Sequence, residues 1–362
     1  MARRVAFDGW LFVTASLLAI GGLIMVGSAS NYVALQHGSP SAFYWRHSLH
    51  LLLGFAALGV MLSVDYRRIA DRRVISGLVI GCFAALVLVL AMPSAGGAHR
   101  WFPLGPVKLQ PSEFAKLVAV LFMAWMLSRK EEQIDDVWSV HGPCLAVIGT
   151  MATLVVIEPD LGSAVMLVLV AGVMIFVAGL RWKYVLVVLG LCALGLVASL
   201  LAQPYRLERI RAFLDPSADA LGSSFQLSQS LIAVGSGGLA GVGLGQGQQK
   251  AYYIPAAHTD FIFSVIGEEL GLIGTVLLLG AFLTLFWRGM RTARRAPDRF
   301  GFYVALGLTS MLVLQALLNM GVCVGLLPTK GLPLPFISYG GSSLLASMIA
   351  TGLLLNVSQH SA

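Results

Sequence analysis

The sequence predicts an all-α polytopic membrane protein that crosses a bilayer about ten times. Three observations predict it: the composition, the length and spacing of the apolar runs, and the side on which the basic residues fall. Hydrophobic residues make up 57% of the 362 and charged residues 11%, with a mean hydropathy of +0.84. Too few polar side chains remain to clothe a water-facing surface, so the solvent of most of the chain is lipid. In lipid a backbone N–H or C=O finds no water to bond, which leaves helices or closed barrels. The Leu- and Gly-rich runs do not alternate as barrel strands do, so helices remain.

The first run, 11–27, follows Met-Ala-Arg-Arg in the manner of a signal peptide, but it lacks a convincing cleavage site and nine more runs follow. It is expected to be retained as a helix. Runs 47–64 and 74–92 come next, each near the roughly 20 residues that cross the hydrocarbon. Runs 113–127 and 144–157 are nearer the lower limit of about 17, which predicts tilt or burial. Runs 161–179 and 184–202 complete the first seven, and 261–287, 301–325 and 336–357 are the last three. One long connection, 203–260, separates the seventh from the eighth within a single transmembrane domain, 1–362.

With Arg3 and Arg4 on the inner side, the inner connections hold Arg67, Arg68, Arg72, Arg73, Arg129, Lys130, Arg181, Lys183, Arg288, Arg291, Arg294, Arg295 and Arg299. That makes fifteen basic residues inside, against eight outside: Arg46, Arg100, Lys108, Arg206, Arg209, Arg211, Lys250 and Lys330. The asymmetry predicts both termini in the cytoplasm. It also accounts for the net charge of +7, so the charge does not argue for a nucleic-acid partner. Cys82, Cys144, Cys192 and Cys323 lie in apolar runs without paired spacing and read as packing residues. No Walker A loop, metal-ligand cluster or Ser-His-Asp arrangement stands out, which disfavours an ATP-driven pump, a zinc enzyme and a serine hydrolase.

The 203–260 connection holds the basic stretch Tyr205-Arg-Leu-Glu-Arg-Ile-Arg211, the turn-like Asp215-Pro216 and a glycine-rich stretch from Gly235 to Gly245. Glycine at that density lets backbone amides close on an anion, and it equally suits a re-entrant or tightly packed segment. Asp260 stands where the connection meets the eighth run. A carboxylate there is either a helix cap worth about 1 kcal/mol, with Thr259 able to share the role, or a base. Glu113 and Lys116, three apart at the start of the fourth run, share one helix face, with Ser112 available as cap. A cation near mid-membrane costs about 2.5 to 3.5 kcal/mol on insertion scales, so Lys116 must face a partner or a polar cavity. The pair is therefore a packing ion pair, a cavity wall, or both.

Asp160 and Glu158 read as helix-end acids unless they point into the same cavity. Arg100, Arg206, Arg209, Arg211, Lys250 and Lys330 can hold a diphosphate, Arg as a fork and Lys as a point charge, or anchor to lipid headgroups. Glu268 and Glu269 lie inside the eighth run, require a polar neighbour, and read as structural. His258 reads as a solvated loop residue or a group that positions a hydroxyl. Trp101 and the Tyr252-Tyr253 pair suit an aromatic belt as well as a sugar platform.

Several long blocks carry a resemblance: Arg100-Trp-Phe-Pro-Leu-Gly-Pro106, Gln110-Pro-Ser-Glu-Phe-Ala-Lys116, Glu158-Pro-Asp-Leu-Gly162, Ser224-Phe-Gln-Leu-Ser-Gln-Ser230, Pro255-Ala-Ala-His-Thr-Asp260 and Pro328-Thr-Lys-Gly-Leu-Pro-Leu-Pro-Phe-Ile-Ser338. In this order and over almost the whole chain they resemble the SEDS family (FtsW, RodA and SpoVE), and the segments from Gly243 to Pro255 and from Ser338 to Ser343 look closer to FtsW than to RodA. The resemblance implies a peptidoglycan glycosyltransferase that polymerises lipid II at the outer face of the membrane and releases undecaprenyl diphosphate, in septal synthesis during cell division.

Asp260 matches the family's catalytic aspartate. Arg100, Glu113, Lys116, Asp160, Arg206, Arg211, Lys250, His258, Lys330 and Ser338 are the residues expected around the substrate. No cofactor is required by the sequence, although a divalent cation, Mg or Mn, can assist at the diphosphate. The implied partners are a class B penicillin-binding transpeptidase and other divisome membrane proteins. The competing expectations are a lipid II flippase, which the lack of an obvious internal repeat weakens, a scaffold for the partner enzyme, and a RodA-like elongation polymerase.

Overall fold

The computed structural model describes residues 7–36, 42–93, 99–105, 107–130, 140–179, 190, 194–195, 197, 204–214, 224–252, 257–329 and 331–361. Nine of the ten predicted runs are helices, and the seventh, 184–202, falls almost wholly outside the described residues. The helices longer than five residues are α1 Gly9–Gln36, α2 Ala42–Ser63, α3 Arg72–Val89, α4 Pro111–Arg129, α5 Gly142–Ile157, α6 Leu161–Val177, α7 Pro204–Leu214, α8 Phe225–Ser236, α9 Ile262–Arg295, α10 Arg299–Cys323 and α11 Gly341–Gln359. Seven of them are long and apolar enough to cross a membrane, and α5 and α6 are shorter apolar helices. The chain is a membrane protein.

Helices α4, α10 and α11 are buried along most of their length and form the centre; α2, α3 and α9 bury less than a third of theirs. The outer helices turn residues such as Leu52, Ile80, Leu272, Val276 and Leu277 outward, as expected where the solvent is hydrocarbon. Besides α7 and α8, which lie in the 203–260 connection, apolar periodicity did not predict a two-stranded antiparallel ribbon, β1 Phe102–Leu104 and β2 Val107–Leu109. It turns at Gly105, whose φ of +65° favours glycine.

One end of the bundle is tied together by Asn356 of α11, whose amide donates to the carbonyls of Met61, Leu62 and Val64 while its oxygen accepts from Tyr66 N. At the same end Arg67 pairs with Asp298 at 3.0 Å, and Asp8 takes a bidentate bond from Arg288. The arginine-rich connections therefore gather on one side, and Asp260 lies at the other.

Two of the expected helices differ in the structure. The last run was expected from 336, but α11 begins at Gly341 because Phe336 has φ +68° and Ser338 is bonded into the preceding loop. Helix α9 is broken at Gly271 (φ 63°, ψ −160°), so residues 262–270 form a separate half-helix. The broken ladder is mended by the glycine-rich segment: Val242 N and Gly243 N donate to Glu268 O and Glu269 O, and Leu272 N and Ile273 N donate to Gly238 O and Leu239 O. A Cβ on Gly237, Gly241 or Gly271 would collide with the opposing backbone. Packing explains these glycines. Helix α8 runs beside the half-helix, with Ser230 and Ser264 hydroxyls in contact at 2.5 Å, so part of the 203–260 connection dips alongside α9 as a re-entrant segment. Irregular backbone survives at such depth only where protein satisfies it, as here.

Candidate active site at the mouth of the bundle

The residues that reach the Asp260 end come from several separated stretches, and side-chain bonds, most of them to backbone carbonyls, tie these together. Asp260 immediately precedes α9, yet the N-cap of α9 is Phe261 and no side chain caps the helix. The cap reading of Asp260 is thus excluded: among the described residues its carboxylate caps no helix. It lies against Gly331, where an added Cβ would stand 3.2 Å from Oδ2. Its backbone carbonyl is fixed by Asn319 Nδ2 at 2.8 Å, and the same amide nitrogen donates to Leu332 O at 2.7 Å. Ser338 Oγ donates to Thr259 O at 2.6 Å and accepts from Leu334 N, while Tyr339 N donates to His258 O. The 331–340 loop therefore clamps the 257–261 turn.

Asp160 caps α6 through Ser163 N and also accepts from Gln110 Nε2 at 3.0 Å and Ser112 Oγ at 3.1 Å. Ser112 was expected as the α4 cap; the N-cap position is Gln110 and the serine serves Asp160 instead. Arg100 donates from Nε to Glu158 O at 3.0 Å and from its guanidinium to Pro159 O, which fastens the ribbon to the α5–α6 turn. Arg209 on α7 donates to Thr329 O at 3.5 Å.

Burial pushes the Asp260 carboxyl up to about 6, the neighbouring Asp160 adds to the rise, and Arg209 and Arg100 oppose it. Two carboxylates and two guanidinium groups thus act on one another at this mouth. Glu158 is fully buried with both carboxylate oxygens unpartnered. Burial first, then Asp160, raises it to about 8 against the pull of Arg100.

The other expected residues divide. Glu113 and Lys116 are both buried; the ammonium donates to Glu113 Oε1 at 2.8 Å and to Gln315 Oε1 of α10 at 2.6 Å. Gln315 Nε2 in turn donates to Pro333 O at 2.8 Å. The pair is therefore a packing element that also reaches the loop over Asp260, so the two readings of it are joined by one hydrogen-bonded chain. His258 is half-buried against Phe43 and Tyr339 and is not the solvated residue expected. Lys250 departs most: it is buried in an ion pair with Glu269 and donates to Ser28 of α1 at 2.8 Å, away from the mouth, because the re-entrant segment carries it inward. Arg211 is exposed on α7. The Arg206 side chain, Lys330 and Tyr253 lie outside the described residues.

Sequence reasoning counted Arg209 among the basic residues able to hold a diphosphate but left it off the final list of residues around the substrate, and it did not weigh Gln315 and Asn319. The signals existed: Arg209 stands one turn from Arg206 on the same face of α7, and Gln315 and Asn319 are amides four apart inside an apolar run. Among the described residues no three His, Cys, Asp or Glu side chains are placed to hold a metal ion.

Fold and site together define a multi-pass membrane protein with a carboxylate-and-arginine site at one mouth of a helical bundle. A family profile described as "Cell cycle protein", for FtsW, RodA and SpoVE, matches residues 9–362. The chain is 44% identical to stage V sporulation protein E of Bacillus subtilis over 99% of both chains. It is 41% identical to a probable peptidoglycan glycosyltransferase FtsW of Geobacter sp. strain M18, over 99% of this chain and 98% of the relative. Among solved structures it is similar to one described as "Structural coordination of polymerization and crosslinking by a peptidoglycan synthase complex" (TM-score 0.80, 33% identity, 98% of both chains). It is also similar to the rod shape determining protein RodA of Thermus thermophilus (TM-score 0.72, 30% identity, 98% of this chain and 97% of that one). The chain belongs to the FtsW/RodA/SpoVE family.

Proposed function

We infer that this chain is a peptidoglycan glycosyltransferase that polymerises lipid II, with Asp260 as the general base. The observation that carries the role of Asp260 is a carboxylate at the start of α9 that caps no helix, is held by its backbone at Asn319 and lies within the electrostatic reach of Arg100 and Arg209. The attacking sugar hydroxyl of lipid II gives its proton to Asp260 as its oxygen bonds to the anomeric carbon of the lipid-linked glycan. The bond from that carbon to the diphosphate oxygen breaks, and undecaprenyl diphosphate leaves with the bonding pair. Arg100 and Arg209 offset the charge that grows on the leaving group. Lys116 and Glu113 act through Gln315 on the loop over Asp260 rather than on the substrate. A divalent cation at the diphosphate would be held by Asp260 or Asp160 only together with substrate oxygens.

The arginine-rich end faces the cytoplasm of the inner membrane, so the Asp260 mouth opens outward, where lipid II is used. The similarity to FtsW-named relatives favours septal synthesis, and the likeness to a peptidoglycan synthase complex favours a class B penicillin-binding transpeptidase as partner. Wild type and Asp260→Asn, each purified with the cognate transpeptidase and given lipid II, test the reading on a glycan gel. Polymer from wild type alone supports it, equal polymer from both removes Asp260 as base, and polymer from neither favours a flippase or scaffold.

A further inference from the structure

We propose that the carboxylate pair at the break in α9 binds one alkali cation between Glu268 and Glu269 beside Gly247. The two glutamates follow Asp260 by eight and nine residues, so at a rise of 1.5 Å per residue they sit about 12 Å further into the bundle. Glu269 is fully buried and paired with Lys250, and Ser28 Oγ donates to both of its oxygens at 2.8 and 2.7 Å. Glu268 is 3% exposed. Its Oε1 accepts from the backbone N–H groups of Gln248 and Gln249 at 2.7 and 3.1 Å, whereas its Oε2 is buried with no hydrogen-bond partner.

The charges do not balance. Two carboxylates face one ammonium, and among the described residues no basic group pairs with Glu268. An isolated carboxylate at this depth is strongly disfavoured, and a second positive charge resolves the imbalance. The place for it is defined by Gly247: a Cβ there would stand 2.9 Å from Glu268 Oε2 and 3.1 Å from Glu269 Oε1, so the missing side chain leaves both oxygens facing one space. The Gln249 side-chain oxygen is likewise buried and unpartnered, a neutral ligand of the kind alkali ions take. The break at Gly271 ends the half-helix next to the pair, and the negative end of its dipole adds to the attraction for a cation. Loading the site would tie the re-entrant segment to the half-helix that carries Asp260.

The experiment uses the full chain in lipid nanodiscs. Thermal unfolding is followed in sodium or potassium chloride against choline chloride at fixed ionic strength, and infrared spectra are recorded for the carbonyl stretch of a protonated carboxylic acid. A midpoint that rises with sodium or potassium in wild type, and stays flat in Glu268→Gln, identifies an alkali ion. A flat midpoint would overturn the proposal, and a protonated-acid band present in wild type and lost in Glu268→Gln would overturn it by showing a neutral acid in place of an ion; the comparison with the variant separates that band from Glu158. Should Glu268→Gln not fold, Gly247→Ala, whose methyl presses on both carboxylates, takes its place, and the wild-type titration alone still decides against the proposal if the midpoint does not move. Because neither readout uses lipid II, failure here leaves the glycosyltransferase reading standing.

Discussion

If Asp260 is the base, polymerisation should fail in acid at a pH no ordinary aspartate would dictate. The perturbation is pH itself. With its carboxyl raised to about 6, Asp260 is ionised in nearly all molecules at pH 7.5 but in only about one in eleven at pH 5; an unperturbed aspartate, near 3.9, would still be about nine-tenths ionised there. Since only the ionised form takes a proton, kcat/KM for lipid II should fall about tenfold between pH 7.5 and pH 5. The assay is an initial-rate measurement with labelled lipid II at constant ionic strength, with fold checked at each pH. The neighbours supply the control. Asp160→Asn removes a negative charge and should move the acid limb to lower pH. Arg209→Ala removes a positive charge and should move it higher, beyond any effect on binding. A profile flat from 7.5 to 5, or a limb unmoved by Asp160→Asn, would refute the assignment.

Asp260→Asn should be inactive yet more stable. A carboxyl whose folded value of about 6 exceeds its starting value of 3.8 favours folding when protonated and opposes it when ionised, so the gain from the amide appears as pH rises from 4 through 6 and then levels, at an upper bound of about 3 kcal/mol; Tm against pH reads it. Lys116→Met alone should cost roughly 3 to 5 kcal/mol because Glu113 is left buried and unpaired, and Lys116→Met with Glu113→Gln should recover most of it. Recovery of Tm without recovery of polymerisation would show that the pair also sets the loop over Asp260. Gly241→Ala, which meets Glu269 O at a φ of +80°, should prevent accumulation of folded protein, whereas Gly105→Ala, also at positive φ but with open space around it, should lower stability by only about 1 to 2 kcal/mol; detergent-solubilised yield and Tm separate the two.

Much of the fold was legible because lipid imposes a simple rule: apolar runs of a given length become helices. That rule located α1 to α6 and α9 to α11 but says nothing about where a long run breaks, and α9 reads as one continuous run through Gly271. The re-entrant path beside α9 was one of the two readings the glycine-rich stretch offered, and sequence alone did not choose it because the same glycines also describe an anion cradle. At the site, Asp260, Asp160 and Arg100 could be named from motifs, but the sequence could not show that Asp260 leaves its helix uncapped. Lys250 was misplaced because counting charges by connection assumes that a connection stays at the surface. Gln315 and Asn319 went unweighed because amides in an apolar run carry no charge to draw attention.

Those two amides explain how an interior so apolar can hold a reactive carboxylate steady at its edge. Gln315 takes the Lys116 ammonium on its oxygen and gives its nitrogen to Pro333 O; one turn further along α10, Asn319 bridges Asp260 O and Leu332 O. Both side chains come from a helix that is buried almost throughout, and both grip backbone carbonyls of irregular segments that no sheet or helix would otherwise satisfy. Each such bond contributes only about 1 kcal/mol, but an unsatisfied carbonyl in this setting is far less favourable, so the loops have one acceptable arrangement and Asp260 inherits its position from it. The same arrangement leaves the carboxylate itself without a cap to make. The Asp260 carboxylate is available to act as the proposed base because its backbone, and not its side chain, holds the turn in place.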